Sequence, residues 1–284
     1  PQVANSGIPV LYTMHEYFLA CPNGGFYDYQ SRKICTRLPL SLDCSLTNCD
    51  SRHWSHKAWR LTRSAIARTV GQLPSGLANI AYISDLQRQV MAPFLPENAN
   101  LHFVPNPVAY EGPPVDWRDN KRFLFVGRLS AEKGARIFAE AARFAGVRAV
   151  MIGDGEERAA LQSAYPEIEF TGWLSEAEVA EQLSSARALV FPSLWYECQP
   201  LVPIEALLRG VPVVTGQWTA ASESVDHGRS GVVVNSPNAA AFAEGIRGIE
   251  RLDAFSSSEL AELVSPQSHV ERLCEIYDGM LAAS

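Results

Sequence analysis

Two glutamates with seven residues between them, Glu197 and Glu205, stand in a stretch rich in proline and aromatic side chains. An ionised carboxylate accepts hydrogen bonds from two neighbouring hydroxyl groups at once, so this pair suits a polyhydroxylated ligand. Pro203 favours the first turn of a helix, which predicts Glu197 in a loop and Glu205 in that first turn. The alternative is that a first-turn glutamate only complements the helix dipole.

A second candidate site is the loop Gly127-Arg-Leu-Ser-Ala-Glu-Lys-Gly134, which follows a short apolar run and precedes a helical pattern. The loop combines a glycine, the cations of Arg128 and Lys133 and the N-terminus of a helix. This combination predicts an anion-binding site, and phosphate is the ligand that we expect there. The alternative is an ordinary turn with exposed cations. The next glycine turn, Gly153–Gly155, lacks the third glycine of the dinucleotide fingerprint, which disfavours a nicotinamide or flavin ligand.

Short apolar strands must alternate with helices to carry these loops. The predicted strands are Phe123–Val126, Ala149–Ile152, Ile168–Thr171, Ala188–Phe191, Pro212–Thr215 and Gly231–Val234. The predicted helices are Ala135–Phe144, Glu156–Ala164, Glu176–Ala186, Pro203–Leu208 and Ala239–Arg251. One helix between successive strands indicates parallel pairing, so we expect a doubly wound α/β domain that binds its ligand at the carboxyl ends of the strands.

The first part of the chain shows the same alternation less regularly. Its predicted strands are Val10–His15, Ile80–Ser84 and Leu101–Val104, and its predicted helices are Trp54–Val70 and Asp85–Phe94. A turn-rich, charged segment, Glu111–Asn120, predicts a linker. We therefore expect one domain over 1–117, a second over 118–267, and a C-terminal helix over 268–284 that packs back toward the first domain. The packed face of that helix would carry Val270, Leu273, Cys274, Tyr277 and Leu281.

The composition limits the classes of function. The chain has 284 residues, of which 47% are apolar, and this places it among soluble globular proteins with room for two domains. A formal net charge of -7 argues against nucleic acid as a partner, because a nucleic-acid binder carries a basic surface. No apolar run is long enough to cross a membrane, and no stretch reads as a secretory signal, so we expect a cytoplasmic location.

Four cysteines crowd one early stretch, namely Cys21, Cys35, Cys44 and Cys49. Without an export signal, a disulfide framework is the less favoured interpretation. Their spacing lacks the paired Cys-x-x-Cys of ordinary zinc sites, yet four thiolates with histidines nearby could bind a metal. Thiols that pack a loop are the alternative, so the metal stays unknown at this point.

Residues 52–70 predict a basic amphipathic helix, with no acidic residue from 51 to 84. One face carries Trp54, Ala58, Leu61 and Ala65. The opposite face carries Lys57, Arg60, Arg63 and Arg68. Such a helix can lie on an anionic membrane or steer a lipid diphosphate acceptor, which would bring the protein to the inner membrane face. The favoured alternative is a helix packed on the sheet with a solvated basic face.

The ordered series of motifs resembles glycosyltransferase family 4, the retaining GT-B-fold glycosyltransferases marked by a Glu-x7-Glu motif. The shared features are, in chain order, Gly127-Arg128 with Lys133, Gly172, Pro192-Ser193 with Glu197 and Glu205, Gly210-Val-Pro-Val, Glu223 and Gly231. The resemblance runs from about His15 to the end of the chain and is densest from Arg122 to Val234. It implies a GT-B-like α/β fold of two Rossmann-like parallel-sheet domains. It also implies transfer of a hexosyl group from a nucleotide-diphosphate sugar to a hydroxyl acceptor.

The resemblance implies a role for each part of the donor site. The donor diphosphate would be bound by three residues of one loop, namely Gly127, Arg128 and Lys133. Glu205 would hold the ribose hydroxyls. The base would lie at Gly172 and Trp173, although the alternative is that Trp173 is only a core or rim aromatic residue.

At the sugar end, the resemblance implies catalytic roles for His15 and Glu197. A lone histidine after an apolar strand is otherwise more often a core residue. Glu197 and the backbone groups after it, those of Gln199, Leu201 and Val202, would meet the sugar and its phosphate. Members of the family often have Gly-aromatic-Gly after the first glutamate. This chain has Cys198-Gln199-Pro200 instead, and Pro200 cannot donate an N–H.

The implied reaction retains the anomeric configuration and requires no metal or other cofactor, because cations and helix N-termini can neutralise the leaving diphosphate. The donor would be a UDP- or GDP-sugar, and the acceptor a glycan, a lipid-linked molecule or a small molecule in glycan biosynthesis. Two alternatives stay open: a non-catalytic module that binds a nucleotide-sugar, and a nucleotide-sugar epimerase of the same fold. The opening strands of the family's first domain have no counterpart before His15, so we expect this domain to be incomplete, most simply by truncation of the chain.

Overall fold

The computed structural model describes residues 8–110 and 112–282 of the chain. The chain forms two compact units. The first unit takes in the described residues of Pro1–Pro107 and Val264–Ser284, together with Trp195–Gln199. The second takes in the described residues of Val108–Leu194 and Pro200–Leu263. Glu111, with which the predicted linker begins, lies outside the described residues, as do the outer ends of the predicted segments 1–117 and 268–284.

The first unit is built on a parallel three-stranded sheet. The strands of this unit are β1 (Leu11–Thr13), β2 (Tyr27–Asp28), β3 (Lys33–Ile34), β4 (Asn79–Tyr82) and β5 (Asn100–Phe103). The sheet has the order β1-β4-β5, while β2 and β3 form an antiparallel hairpin that the sequence patterns did not predict. Its first helices are α1 (Leu42–Leu46), α2 (Trp54–Thr69) and α3 (Asp85–Met91). Helix α3 begins where the hydroxyl of Ser84 accepts a hydrogen bond from the backbone N–H of Gln87.

The core of the first unit lies against the sheet and includes Met14, Tyr17, Ile80 and Met91. The rings of Tyr17 and Phe26 meet edge to face, with their centroids 5.5 Å apart. Full burial of an apolar side chain of this size contributes about 1.5–3 kcal/mol, so this cluster can hold the short strands together.

Helix α2 is rotated relative to its predicted orientation. Lys57 is only 1% exposed, and the guanidinium of Arg60 pairs with the buried carboxylate of Asp50 at 3.1 Å. Large apolar side chains of the same helix are exposed instead, namely Trp54, Trp59 and Ile66. The prediction of a solvated basic face is therefore wrong at Lys57 and Arg60, because buried sulfur atoms and a buried carboxylate draw these cations inward.

The second unit contains a six-stranded sheet that is parallel throughout. Its strands are β6 (Arg122–Val126), β7 (Arg148–Ile152), β8 (Glu169–Gly172), β9 (Ala186–Phe191), β10 (Val213–Gly216) and β11 (Gly231–Val234). They pair in the order β11-β10-β9-β6-β7-β8, which is the doubly wound order of Rossmann folds. The helices are α4 (Ala135–Ala145), α5 (Arg158–Ala164), α6 (Glu176–Ser184), α7 (Leu201–Leu208), α8 (Ala239–Gly248) and α9 (Ser258–Leu263). The prediction of a parallel α/β sheet is confirmed.

Side chains alternate between the two faces of this sheet, as the pleat of a strand requires. Phe123 and Phe125 of β6 join one buried cluster with Phe138 of α4 and Phe242 of α8. Leu124 joins a second cluster on the other face, together with Leu183 of α6 and Ala206 and Leu207 of α7. Both faces are thus covered by helices, which explains why the strands read as continuous apolar runs.

The segment predicted as a linker is packed against the second unit. Trp117 is 2% exposed, and the guanidinium of Arg187 lies 4.8 Å from the centre of its ring. The backbone N–H of Val115 donates to the carbonyl oxygen of Arg209 at 2.7 Å. The division between the compact units therefore comes earlier, at Pro107 and Val108.

The C-terminal helix, α10 (Pro266–Ala282), belongs to the first unit. A ring nitrogen of His269 lies 2.9 Å from the carbonyl oxygen of Pro105. Most of the predicted packed face is exposed, including Val270, Tyr277 and Leu281, while Met280 is buried. The helical period was correctly predicted, but the face that packs was not, because Met280 is the buried residue and His269 contacts Pro105, and the period does not reveal either.

Candidate functional site

The order of the second sheet places its switch point between β6 and β9. The chain runs outward from β6 to β8 on one side, and from β9 to β11 on the other. In sheets of this kind the loops after the two central strands separate and leave a crevice at their carboxyl ends, where ligands bind. The crevice here is lined by the loops after Val126 and Phe191, which are two of the loops that the sequence singles out.

Glycines at the ends of three adjacent strands allow their loops to approach each other closely. The backbone N–H of Gly153 donates to the carbonyl oxygen of Gly172 at 2.9 Å. A Cβ on Gly153 would lie 2.0 Å from the carbonyl oxygen of Gly127, which leaves no room for any side chain. The structure thus brings the predicted diphosphate-binding Gly127 and the predicted base-binding Gly172 to the same edge of the sheet.

The loop after β6 is held by a buried carboxylate, that of Glu132. One of its oxygens accepts a hydrogen bond from the hydroxyl of Ser130 at 2.8 Å and pairs with the guanidinium of Arg128 at 3.2 Å. The side chain of Glu132 is 4% exposed, whereas that of Arg128 is 53% exposed. Arg128 is therefore anchored at one end and still open to a ligand. Glu132 was not predicted as a site residue, although its position four residues after Arg128 is a usable signal.

The N-terminus of α4 lies beside the loop that follows β9. Gly134 is the N-cap residue of α4, with a φ of 71°, and a Cβ there would lie 2.1 Å from the carbonyl oxygen of Pro192. The backbone N–H of Leu194 donates to the carbonyl oxygen of Glu132 at 2.8 Å. These contacts join the two loops of the switch point and place half-buried Lys133 next to the positive end of a helix dipole.

Glu205 lies in the second turn of α7, not in the first as predicted. The helix begins at Leu201, which makes Pro203 its third residue and leaves no acidic residue in the first turn. The Glu205 side chain is half-buried. The backbone N–H groups of Leu201 and Val202 begin this helix and have no partner inside it, so they remain available to an anion. The prediction failed because Pro203 fits more than one position of a first turn.

The turn after β8 presents an aromatic side chain at the same edge of the sheet. Trp173 is 72% exposed, directly after Gly172, whose φ of 77° is left-handed. Arg158 lies behind this turn and pairs with Asp154 at 2.8 Å. This ion pair was not predicted; it holds the guanidinium of Arg158 beside Gly172, where a Cβ would lie 3.3 Å from its nearest nitrogen.

His15 follows β1 in the first unit and is exposed. The residue before it is fixed from two sides: the backbone N–H of Met14 donates to Ala81 at 2.9 Å, and the Gln87 side chain donates to the carbonyl oxygen of Met14 at 3.0 Å. Because the His15 side chain is exposed, the alternative of a buried core histidine is wrong. Next to it, burial raises the pKa of Glu16, although the charges of Arg63 and His15 oppose the shift.

The segment Trp195–Gln199 also belongs to the first unit. Glu197 is half-buried, and its N–H donates to the carbonyl oxygen of Trp195 at 3.0 Å. The side-chain oxygen of Gln199 accepts the backbone N–H of Asn106 at 2.6 Å, so this side chain holds two chain segments together. Burial raises the pKa of the Cys198 thiol to about 12, which makes it a poor nucleophile at neutral pH.

The cysteine stretch contains free thiols, among which Cys44 and Cys49 are buried. Over residues 8–110 and 112–282, no group of three or more histidine, cysteine, aspartate or glutamate side chains is arranged to hold a metal ion. In the same part of the chain, no helix is both long and apolar enough to cross a bilayer.

Comparison with known proteins agrees with this geometry. Residues 120–250 match the family model described as glycosyl transferases group 1. A GDP-mannose-dependent alpha-mannosyltransferase of Mycobacterium tuberculosis is 36% identical over 110 residues, which are 39% of this chain and 29% of that protein. The matched part of this chain thus spans less than a third of that relative's length.

Two solved structures cover nearly the whole chain. Sucrose-phosphate synthase from Thermosynechococcus elongatus has a TM-score of 0.69 at 18% identity, covering 96% of this chain and 68% of that one. HepE of Anabaena, in complex with UDP and glucose, has a TM-score of 0.63 at 16% identity, and the match covers 96% of this chain and 71% of the HepE chain. The fold is therefore the GT-B-like fold of glycosyltransferases. Within it, residues 120–250 are the part that is similar to the glycosyl transferases group 1 family model.

Proposed function

We propose that the protein transfers a hexosyl group from a nucleoside-diphosphate sugar to a hydroxyl acceptor. The observation that carries this proposal is the loop that joins Gly127 to Gly134 at the switch point. It presents the anchored cation of Arg128, the cation of Lys133 and the N-terminus of an 11-residue helix within one short stretch. A diphosphate needs this combination of point charges and oriented N–H groups.

The nucleoside end of the donor is assigned to the neighbouring loops. Gly172 and Trp173 would contact the base, and the carboxylate of Glu205 would accept hydrogen bonds from the ribose hydroxyls. GDP-mannose is the first donor to test, because the M. tuberculosis relative is named as dependent on it. A UDP-sugar is the second, because the HepE structure contains UDP and glucose.

The sugar end is assigned by the family resemblance. His15 and Glu197 would contact the transferred sugar, and the backbone N–H groups of Gln199, Leu201 and Val202 would bind the sugar and the phosphate beside it. Transfer would retain the anomeric configuration: the acceptor hydroxyl attacks the face that the diphosphate leaves, and a phosphate oxygen takes its proton. Arg128 and Lys133 would offset the charge on the leaving group, so we propose that no metal is required.

Binding of nucleoside diphosphates tests the donor site directly. Calorimetric titration with GDP and with UDP would be carried out on the unaltered chain, Arg128→Ala, Lys133→Ala and a control, Lys121→Ala. Lys121 is an exposed cation at the opposite end of β6. A hydrogen bond to a charged group contributes about 1.5–3 kcal/mol, so loss of either cation should weaken binding about 10-fold or more. Unchanged affinity in Lys133→Ala would refute the assignment.

Turnover separates the proposal from its alternatives. A retaining transferase releases the nucleoside diphosphate in the presence of an acceptor. NMR of its product should show the same anomeric configuration as that of the donor sugar. An epimerase would convert the donor sugar without releasing diphosphate, and a binding module would bind it unchanged. Loss of turnover in EDTA, restored by a divalent cation, would contradict metal independence.

A peripheral contact with an anionic membrane is a second proposal, favoured by the exposed side of α2. Trp54, Trp59 and Ile66 are exposed there, and Arg63 is exposed on the same helix. Apolar and basic side chains together favour the surface of an anionic bilayer, such as the inner membrane face. Sedimentation with anionic but not neutral vesicles, lost in Trp59→Ser with Ile66→Ser, is expected. Equal sedimentation with both vesicle types would contradict it.

A further inference from the structure

The amino group of Lys57 lies among buried sulfur atoms in the first unit. Its Nζ is 3.0 Å from the Sγ of Cys49 and 3.6 Å from the Sγ of Cys44. All three side chains are buried. In the described part of the chain, Lys57 makes no ion pair with a carboxylate. A buried lysine usually pairs with a carboxylate, so the sulfur neighbours of Lys57 indicate a role for this side chain beyond packing.

Surrounding contacts hold these atoms together. Cys44 lies in α1, whose N-cap Ser41 accepts the backbone N–H of Cys44 at 3.1 Å. The amide of Asn23 donates to the carbonyl oxygen of Cys49 at 2.7 Å and lies 3.4 Å from its Sγ. The Lys57 amine is carried on α2, near its start. Three separate segments therefore determine one nitrogen–sulfur contact.

The pKa values of both groups in the pair are raised, which favours the protonated form of each. Burial raises the pKa of the Cys49 thiol, although the hydrogen bond and charge of Lys57 oppose this shift. Burial alone would lower the pKa of Lys57, but the hydrogen bond and charge of Cys49 outweigh it and raise the pKa. Loss of one proton leaves either ammonium with thiolate or amine with thiol, and both states can be oxidised.

We propose that Lys57 and Cys49 are a modification site, at which dioxygen forms a reversible N–O–S crosslink between the two side chains. The N–H bond of the neutral amine and the S–H bond of the thiol each lose their hydrogen. One oxygen atom enters between nitrogen and sulfur, and the other leaves as water with the two hydrogens. The amine and the thiol are oxidised together, and dioxygen is reduced. This site is separate from the residues of the proposed transferase reaction.

The geometry favours this bridge over other oxidation products. At a separation of 3.0 Å, one oxygen atom can join nitrogen to sulfur with little movement of either side chain. A direct sulfur–nitrogen bond would require the two atoms to approach much further. Both thiols are free, and Cys49 is the nearer of the two to the amine, at 3.0 Å against 3.6 Å for Cys44.

Mass spectrometry of the full chain tests the proposal. The protein is purified without reductant, held in air-saturated buffer and digested after alkylation of free thiols. We expect a crosslinked peptide pair joining Lys57 to Cys49, with one oxygen gained and two hydrogens lost. Dithiothreitol should restore the separate peptides. Because the pKa of Cys49 is raised, the crosslink should form faster at about pH 9 than at about pH 7.

Matched variants assign the atoms. Cys49→Ser and Lys57→Arg should abolish the crosslink, and Lys57→Arg keeps the positive charge beside the sulfur atoms. Cys44→Ser should retain it, and so should Cys274→Ser, which removes an exposed thiol on α10. Circular dichroism confirms that each variant is folded before it is compared.

Three results on the unaltered chain would overturn the proposal. The first is a peptide pair that has lost two hydrogens without gaining oxygen and joins Cys44 to Cys49. The second is a stoichiometric metal ion in elemental analysis of protein purified without chelator. The third is complete alkylation of Cys49 after prolonged exposure to air.

Discussion

Gly134 and Pro192 are in contact through their backbones. The space where a side chain on Gly134 would begin is occupied by the carbonyl oxygen of Pro192, at 2.1 Å. This contact joins the start of α4 to the loop after β9, so the glycine positions both edges of the crevice at which we propose that the diphosphate binds. A left-handed φ of 71° reinforces the requirement for glycine.

Gly134→Ala should destabilise the second unit more than Gly146→Ala. The two glycines flank the same helix with φ values of 71° and 70°, but a Cβ on Gly146 would meet nothing within 4 Å. Each variant carries the cost of a left-handed alanine, about 1–2 kcal/mol. Gly134→Ala adds a backbone clash, which we expect to cost about 1–3 kcal/mol more. Urea unfolding measures both; equal losses would show that the loop moves aside freely.

Glu132→Gln should weaken binding of nucleoside diphosphates. Glutamine cannot form the ion pair that anchors Arg128, and it returns the guanidinium to many rotamers. We expect the dissociation constant to rise several-fold, since ordering a long side chain costs about 0.5–1.5 kcal/mol. Glu167→Gln is the matched control, because Glu167 pairs with Arg143 at 2.7 Å on the exposed surface. Calorimetric titration with GDP and UDP compares them, and equal affinities would remove Glu132 from the donor site.

Trp173→Ala should leave the free energy of unfolding nearly unchanged while weakening nucleotide binding. The side chain is exposed, so its removal forfeits little buried area. Base stacking on an aromatic ring contributes about 1–3 kcal/mol, which is about 5- to 150-fold in affinity. Phe144→Ala removes an exposed aromatic side chain from the end of α4 and serves as control. If both variants bind GDP and UDP like the unaltered chain, Trp173 does not contact the base.

Asp28 should make the first unit sensitive to acid. Burial by itself raises the pKa of this carboxyl, but hydrogen bonds from Ser31, Arg37 and Gln30 outweigh it, and the pKa is lowered. A lowered folded pKa contributes stability above the unfolded value, about 3.9, and this contribution is lost as the pH falls through the folded pKa.

Unfolding by urea between about pH 7 and about pH 3 measures the effect. Asp28→Asn should cost about 1–3 kcal/mol at neutral pH and flatten the decline toward acid, because the charged hydrogen bonds are already lost. Asp43→Asn is the control: Asp43 also pairs with Arg37, but its side chain is 73% exposed. An identical acid profile for Asp28→Asn and the unaltered chain would rule out Asp28 as the source.

Much of the second unit could be predicted, because its signals are local. Apolar runs such as 123–126 and 188–191 reveal buried parallel strands, and glycines at the ends of several strands, such as Gly127 and Gly153, reveal where the chain turns. The rule that ligands bind where parallel strands end then brings Gly127 and Gly172 to one edge without any coordinates. The first unit was harder to predict, since its strands are short and the hairpin of β2 and β3 has little apolar alternation.

The errors concern which way a side chain points. The basic stripe of α2 was predicted to face solvent, yet Lys57 turns toward Cys49 and Arg60 toward Asp50. The apolar face of α10 was predicted to pack, yet Val270 and Tyr277 are exposed. A helical period shows that two faces differ, but it does not show which of them meets a partner.

The parallel α/β architecture and the loop that carries Arg128 and Lys133 follow from local sequence, because strand period, glycine turns and helix starts each depend on a few neighbouring residues. Which distant groups pair with one another is set by the folded chain alone. Gln199 accepts the N–H of Asn106 across 93 residues, and Glu132 binds Arg128 inside a loop closed by Pro192. These pairings form because buried polar groups need hydrogen-bond partners, and which groups are buried depends on the fold of the whole chain.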